Sequence, residues 1–464
     1  MDAWSVITET VVVLGLIVGI WQFRSPRRAR SGNLTAASAL LAAIAIVLFR
    51  HPVLDPGVVV AAIAVGSLAG WVVAMRVNMI QIPAMVAFQH GAGGVAAFLV
   101  SSVELTRDPA AMTAVPQVSG LLGVVIGAAT FSASMIASGK LAGLLRQTPI
   151  VLPRHSGLLW ATAVVTTGLA VLSGLTGAPA CYLWLLALLA ASAVLGVIFA
   201  IRIGGADMPV LISFLNATAG LAAAFCGIII GNRLLIVCGA TVAASGSVLT
   251  HVMCRAMNRG LPRVFAGTAF AKGPPAAGEP SVPQSPEAPP ADETPPLIRA
   301  AQALKEATRV VIIPGYGMAL AHAQFETVDL ARQLAEGGRD VKFAIHPVAG
   351  RMPGHMHVLL AEAEVDPGWL YDMDAINDEF RTVDVALVVG ACDVVNRAAI
   401  EREGTPISGM PILMAHESRQ VIVCNLDARP GYSGVANPLY ADPKTILLFG
   451  DAKETLAQLR QSLE

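Results

Sequence analysis

The chain has 464 residues, 55% hydrophobic and only 14% charged, with a mean hydropathy of +0.65. Soluble globular chains carry roughly 25% charged residues, so an ordinary cytosolic enzyme, a disordered chain and a nucleic-acid binder working through net charge are excluded. The net charge of -1 hides an asymmetry: residues 1–264 hold 15 Lys and Arg against 6 Asp and Glu, and residues 265–464 hold 16 against 26, which implies a bilayer part and a water part.

A helix crossing a ~30 Å hydrocarbon core needs about 20 apolar residues. Nine runs meet or approach that length: Trp4–Phe23, Leu34–Phe49, Gly57–Met75, Ile82–Ser102, Gln117–Ser138, Leu158–Leu175, Ala180–Ala200, Pro209–Gly231 and Leu234–Met257. The second is short. The first follows Met1-Asp2, with no basic flank ahead of it, and precedes Arg24, Arg27, Arg28 and Arg30. That makes a poor signal peptide and a good first span.

The loops alternate in charge. Those four arginines share a side with Arg76, Lys140, Arg146, Arg154, Arg202, Arg255, Arg259 and Arg263; the other side has Arg50, Arg107 and Arg233. Twelve positive charges against three place the amino terminus outside and the carboxyl-terminal half in the cytoplasm. Six cysteines (Cys181, Cys226, Cys238, Cys254, Cys392 and Cys424) show no paired spacing, so neither a disulfide framework nor a zinc site is expected.

Polar residues inside the spans carry most information. His90 shares a helical face with Ala87, Gly94 and Ala97, a small-residue stripe that turns it into the bundle. Asn216 keeps similar company in Ser213, Gly220 and Ala223. His251 lies near a span end, and Asp207 sits in the loop Gly204-Gly-Ala-Asp207. Two readings stand for His90 and Asn216: interhelical hydrogen-bond glue at about 0.6 kcal/mol each, or a proton relay, since imidazole titrates near working pH.

Residues 274–296 include nine prolines among Ala, Glu and Ser and read as an extended tether. After it, short β-branched runs (Val310–Ile313, Val341–Ile345, Val385–Val389, Val421–Cys424 and Ile446–Phe449) alternate with helical stretches. A helix of about 20 residues is expected between the first two. The expected fold is an all-α polytopic membrane domain of about nine transmembrane helices over 1–264, a linker over 265–296, and an α/β, Rossmann-like doubly wound nucleotide-binding domain over 297–464. In that domain Pro314-Gly315-Tyr316-Gly317 runs from strand into helix, where glycines let a pyrophosphate approach. Leu320 stands where the third glycine of the full fingerprint belongs. Arg351, in the loop from His346 to His355, suits a phosphate. A metal reading of His346, His355 and His357 lacks partners at recognisable spacing, and no Gly-x-x-x-x-Gly-Lys phosphate loop is present.

These residues resemble the beta subunit of the proton-translocating nicotinamide nucleotide transhydrogenase. The resemblance rests on Pro-Gly-Tyr-Gly-Met-Ala (314–319), Ile-His-Pro-Val-Ala-Gly-Arg-Met-Pro-Gly-His (345–355), Leu-Leu-Ala-Glu-Ala (359–363), Gly-Tyr-Ser-Gly-Val (431–435), Asn-Pro-Leu (437–439) and Leu-Phe-Gly-Asp-Ala-Lys (448–453). In the membrane half it rests on Gly-Gly-Ala-Asp-Met-Pro-Val (204–210) and Met-Cys-Arg-Ala-Met-Asn-Arg (253–259).

The resemblance implies an enzyme of the inner membrane whose carboxyl-terminal domain holds NADP(H). A partner alpha subunit would hold NAD(H), hydride would pass directly between the two nicotinamides, and two alpha-beta units would pair as a dimer. It assigns His90 and Asn216 to proton passage and Asp207 to the family's cytoplasmic aspartate. It assigns nucleotide binding to Gly315, Tyr316 and Gly317; to Val348, Ala349, Gly350, Arg351, Met352 and Pro353; and to Gly390, Ala391, Cys392 and Asp393, the last also catalytic. Further binding positions are Gly409 and Met410; Asn425, Asp427 and Arg429; Gly431 and Tyr432; and Asp451 and Ala452.

Two positions depart from the family. Its Gly-Ala-Asn-Asp loop reads Gly390-Ala391-Cys392-Asp393 here, and its Lys-Arg-Ser after the fourth strand reads Asn425-Leu426-Asp427. A 2′-phosphate prefers cations, whereas a carboxylate suits a free ribose 2′-hydroxyl. Either NADP selectivity is weakened, with NAD(H) admitted, or Arg429 takes over the lost role. The rival to the enzyme is a nucleotide-gated transporter or sensor without redox turnover.

Overall fold

The computed structural model describes residues 3–22, 28–50, 56–107, 112–146, 149–175, 180–257, 260–266, 295–352, 354–403, 405, 407–431 and 433–463. Most of the proline-rich segment, with Arg24, Arg27 and Arg259, lies outside them. The chain divides into two compact units. The first comprises 1–138, 154–200 and 214–247; the second comprises 139–153, 201–213 and 248–464.

Nine apolar helices come first: α1 (Ala3–Gln22), α2 (Ala29–Arg50), α3 (Pro56–Arg76), α4 (Ile82–Arg107), α5 (Ala114–Leu141), α6 (His155–Leu175), α7 (Ala180–Ile201), α8 (Met208–Ile229) and α9 (Arg233–Ala256). Among the described residues, α2 to α9 are each long and apolar enough to cross a membrane, and α1 contributes the shorter stretch Val6–Gln22. The second span is longer than its apolar run suggests, because the helix starts at Ala29 and takes in Ser31 and Asn33 before Leu34. Hydropathy alone does not see polar residues that helix geometry accommodates.

Small residues bring the helices of this unit together. A Cβ at Gly94 on α4 would stand 2.6 Å from the Gly127 carbonyl of α5, and one at Gly127 would stand 2.8 Å from the Gly94 carbonyl. Gly220 and Gly239 do the same for α8 and α9. Backbones that approach this closely gain dispersion and weak polar contacts, which drive association where no water is displaced. Thr130 on α5 donates to Thr218 on α8 at 2.9 Å, and buried His155 bonds through Nε2 to the Ile198 carbonyl of α7 at 2.8 Å. By contrast, no residue in the α3 span is buried.

The second unit holds the short helix α10 (Leu261–Ala266), then α11 (Pro296–Glu306) and a six-stranded sheet. Its strands are β1 (Arg309–Pro314), β2 (Asp340–Ile345), β3 (Leu370–Asp372), β4 (Val385–Val389), β5 (Gln420–Asn425) and β6 (Thr445–Phe449). All five pairings are parallel, in the order β3-β2-β1-β4-β5-β6. Strands β1, β4 and β5 are continuous apolar runs because both faces are covered. Ile313, Val388, Val423 and Phe380 share one core. The remaining helices are α12 (Tyr316–Leu320), α13 (Gln324–Glu336), α14 (His355–Glu362), α15 (Met373–Ile376), α16 (Ala398–Glu401) and α17 (Ala452–Gln461).

Two sequence expectations change here. The single helix of about 20 residues after β1 is two helices, broken at His322, whose φ is +50°. Ala323 donates back to the Met318 carbonyl across the break, and no Pro or Gly marks it in the sequence. The edge strand β3 was not expected: it has three residues and none is buried, so it carries no apolar signature.

The order places β1 beside β4 at the centre, where the connections depart in opposite directions and open a crevice at the carboxyl ends. There Gly390, at φ +65°, is wedged against the first turn after β1, and a Cβ on it would collide with the Met318 amide nitrogen and the Gly317 backbone. Gly338, at φ +80°, faces nothing within 4 Å. Gly390→Ala is therefore expected to cost about 3 kcal/mol or more, and Gly338→Ala only about 1 kcal/mol. Opening free energies from hydrogen exchange of the β1 and β4 amides measure both; equal costs would contradict the packing argument.

Candidate functional site

The crevice is a cavity of about 320 Å³ at the ends of β1, β4 and β5. The turn Gly315-Tyr316-Gly317 forms one wall, and 348–351 and 390–393 form two more. Asn425, Asp427, Arg429 and Gly431 come in from the loop after β5, with Met410 between them. The structure thus gathers most of the nucleotide positions proposed from sequence.

The glycines of the first turn serve a purpose the sequence did not disclose. Gly315 donates to the Val389 carbonyl and Gly317 to the Gly390 carbonyl, both at 2.8 Å. A Cβ on Gly317 would stand 2.7 Å from the Gly390 Cα. The close approach they permit is backbone against backbone, between the β1 and β4 loops. Because α12 has only five residues, the helix-end attraction for a pyrophosphate is correspondingly short-ranged.

Arg351 is 5% exposed, and its guanidinium lies 4.3 Å from the centroid of the Tyr316 ring. A guanidinium stacked on an aromatic face gains a cation–π attraction that is stronger where water is excluded. His355 supports this arrangement: its Nδ1 accepts from the Arg351 amide at 3.1 Å, and its ring centroid is 6.2 Å from that of Tyr316. His346 donates through Nε2 to the Pro411 carbonyl at 2.8 Å and accepts at Nδ1 from the Val348 amide at 3.2 Å. Both ring nitrogens of His346 are spent on backbone, which leaves none for a metal. Burial pushes His346 down to about 4, and burial with the Arg351 charge pushes His355 down to about 4.

Asp393 accepts from the Ser433 amide at 3.0 Å and the Ser433 hydroxyl at 2.6 Å, so its carboxylate, itself part of the cavity wall, holds Ser433. Cys392 hydrogen-bonds the side chains of Tyr440 and Asn437, and burial pushes its thiol up, away from a reactive thiolate. Asn425 donates to the Ala391 carbonyl at 3.0 Å and to the Tyr440 hydroxyl at 2.6 Å, while its Oδ1 is buried without a hydrogen-bond partner among the described residues. An orphaned acceptor in the lining fits a ligand that brings a hydroxyl or amide donor.

Asp427 and Arg429 engage each other. The Arg429 amide donates to Asp427 Oδ1 at 2.8 Å, and its Nε stands 3.5 Å from Oδ2. The arginine side chain is largely exposed and the carboxylate about half exposed. Such a pair contributes only about 0–1 kcal/mol, and its charges largely cancel.

Other sequence-proposed positions fall elsewhere. Met352 and Gly409 adjoin the lining without joining it. Asp451 caps α17 by accepting from the Lys453 and Glu454 amides, with Ala452 the first residue of that helix. Pro353 and Tyr432 lie outside the described residues. Sequence reading missed Val394, Ile407 and Pro430, apolar wall residues with no motif, and did not propose Leu320, Leu426 and Gly205 as lining although each stands in or beside a recognised motif.

In the helical unit, His90 on α4 hydrogen-bonds the Asn216 side chain on α8. Ala87, Gly94 and Ala97 are buried, as the small-residue face required. His90 Nδ1 is buried and has no hydrogen-bond partner among the described residues. Asp207 belongs to the second unit, in a single 3-10 turn (Gly205–Asp207), within electrostatic range of Cys254. His251 is exposed.

The chain matches the family described as NAD(P) transhydrogenase beta subunit over residues 5–462. It is similar to the NAD(P) transhydrogenase subunit beta of Rhodospirillum rubrum, 39% identical over 475 residues that cover 99% of both chains. A second relative of that description, from a named strain of the same species, has the same identity and coverage.

The two buried imidazoles set a pH dependence. Both titrate near 6.5 when unfolded and near 4 when folded, so between those values the unfolded state binds more protons and stability rises with pH. Their contribution is complete above about pH 6.5 and falls by roughly 3 kcal/mol per imidazole on descent to pH 4. Exchange of the β1 and β4 amides across that range reads the slope, which His346→Gln and His355→Gln should each flatten. A slope insensitive to both variants would contradict the assignment.

Proposed function

This chain belongs to the NAD(P) transhydrogenase beta subunit family, and from that premise we propose that it holds NADP(H) in the sheet-end cleft and exchanges hydride with NAD(H) on an alpha subunit, coupled to proton passage past His90. The reading is carried by one conjunction: a crevice at the β1–β4 switch point in the same chain as a buried His90–Asn216 pair among membrane-length helices. Family membership supports the enzyme over a transporter or sensor without redox turnover.

The exchange NADH + NADP⁺ → NAD⁺ + NADPH moves one hydride and consumes no protein nucleophile. The chain's residues bind, orient and exclude water. In this reading the Tyr316–Arg351 stack and the 348–351 loop hold the pyrophosphate side. Asp393 holds Ser433 in place, and Asn425 Oδ1 takes a donor from the ligand. Asn216 orients the His90 ring, and the free Nδ1 passes or receives a proton through water. Asp207 is the cytoplasmic carboxylate of the path.

The same reading treats 1–264 as the proton-translocating domain, 265–296 as a tether and 297–464 as the nucleotide domain. In this reading the chain sits in the inner membrane, and the twelve-to-three excess of loop cations supports an orientation with the amino terminus outside and the carboxyl-terminal half in the cytoplasm. Two alpha-beta units would pair, and α3, with no buried residue in its span, is a face that neighbouring helices would cover.

Two measurements test this. In vesicles with an alpha subunit, reduction of an NADP⁺ analogue by NADH should acidify or alkalinise the lumen, and His90→Ala should lower that turnover at least about 100-fold. Nucleotide binding without hydride exchange would sink the enzyme reading. Asp427 opposes a 2′-phosphate, so NADP(H) preference should be weak, and Asp427→Ser should raise the NADP(H):NAD(H) affinity ratio about tenfold. Calorimetric titration of both dinucleotides decides it; an unchanged ratio would mean that Asp427 does not face the 2′ position.

A further inference from the structure

Lys140, on the last turn of α5, is only 1% exposed and has no carboxylate partner among the described residues. A lysine is rarely buried this fully without a counter-charge. Its Nζ instead donates to the Ile201 carbonyl at 2.6 Å and the Ile203 carbonyl at 2.7 Å. Ile201 is the last residue of α7. The carbonyls at a helix end have no amide of their own helix to accept from, and they carry the negative end of its dipole. The Ile150 amide also reaches the Ile201 carbonyl, at 3.1 Å.

The turn beyond the clamped carbonyls matters more than the helix end itself. One residue past Ile203 the chain bends through Gly204 and Gly205, the second at φ +61°. Gly205 lines the same cavity as Tyr316, Arg351 and Gly390. An ordinary left-handed glycine cap would fold the chain back over the helix end. Here Gly204 is extended, so the carbonyls need donors from elsewhere: the Ile150 amide reaches Ile201 alone, and Lys140 reaches both Ile201 and Ile203.

Resting on the reading of that cavity as the dinucleotide site, we propose that Lys140 is a positioning residue for nucleotide binding: its ammonium clamps the Ile201 and Ile203 carbonyls and so fixes the Gly204–Gly205 turn as a wall of the cleft. Lys140 does not touch the nucleotide. Because it rides on the last turn of α5, a displacement of that turn moves the wall and alters nucleotide release.

The test uses the full-length chain in detergent, with NADPH as the probe. Lys140→Met keeps the side-chain length and removes the donors; Lys140→Arg keeps donors for both carbonyls. In Lys140→Met, hydrogen exchange at the Gly204, Gly205 and Ala206 amides should quicken about tenfold while the β1 and β4 amides are unchanged. Release of NADPH in stopped flow should quicken about tenfold as well, and Lys140→Arg should restore both to within about twofold. Wild-type exchange and release in Lys140→Met would overturn the proposal, as would faster exchange with unchanged release. If Lys140→Met does not fold, Lys140→Gln takes its place, with effects expected in the same direction and the same outcomes decisive. If the wild-type chain binds no NADPH, the cleft reading falls and the proposal with it, while the exchange data still report separately whether Lys140 holds the turn.

Discussion

Two loops meet backbone to backbone at the centre of the sheet, and the cleft depends on that contact. Gly390 can lie against Gly315, Gly317 and Met318 only because three glycines leave no Cβ between them. The amides of Gly315 and Gly317 close the junction with hydrogen bonds to the Val389 and Gly390 carbonyls. With β1 and β4 locked at their carboxyl ends, the two loops splay outward and the crevice opens above them. Tyr316 and Arg351 on one side and Asp393 on the other then stand at fixed positions without any long helix to hold them.

Neutral, buried groups maintain that geometry. His346 and His355 are kept uncharged by burial; His346 spends both ring nitrogens on the loop backbone, and His355 accepts there through Nδ1. Charge in the cleft is sparse and internally balanced: Arg351 lies on Tyr316, and Arg429 on Asp427. A dinucleotide in such a site is gripped by shape, stacking and a few directed donors more than by a dense cationic field. The helical unit follows a similar rule, with one imidazole and one amide paired among small residues that let the helices close around them.

Much of this was legible in the sequence, for identifiable reasons. Apolar run length marked the nine helices, and apolar β-branched runs marked strands β1, β2, β4, β5 and β6, because both signals come directly from the solvent each face meets. His90 and Asn216 stood out because a polar group flanked by small residues is rare inside a span. Other features left no such trace. Strand β3 is a short, unburied edge, and the helix break falls at His322, a non-glycine residue with positive φ, with no Pro or Gly to mark it. The glycines after β1 suggested a ligand, whereas their nearest neighbour is Gly390. The wall residues Leu320, Ile407 and Leu426 join the cleft only through the fold, and the Asp427–Arg429 pairing is a contact that residue order alone does not reveal.

The claim that the splayed loops over β1, β4 and β5 form the dinucleotide site is tested most directly by a footprint. Hydrogen exchange of the full-length chain with and without saturating NADPH should show protection gathered at 315–317, 348–351, 390–393 and 425–431, with the helical spans little changed. Protection confined to other segments, or none at saturation, would contradict the account.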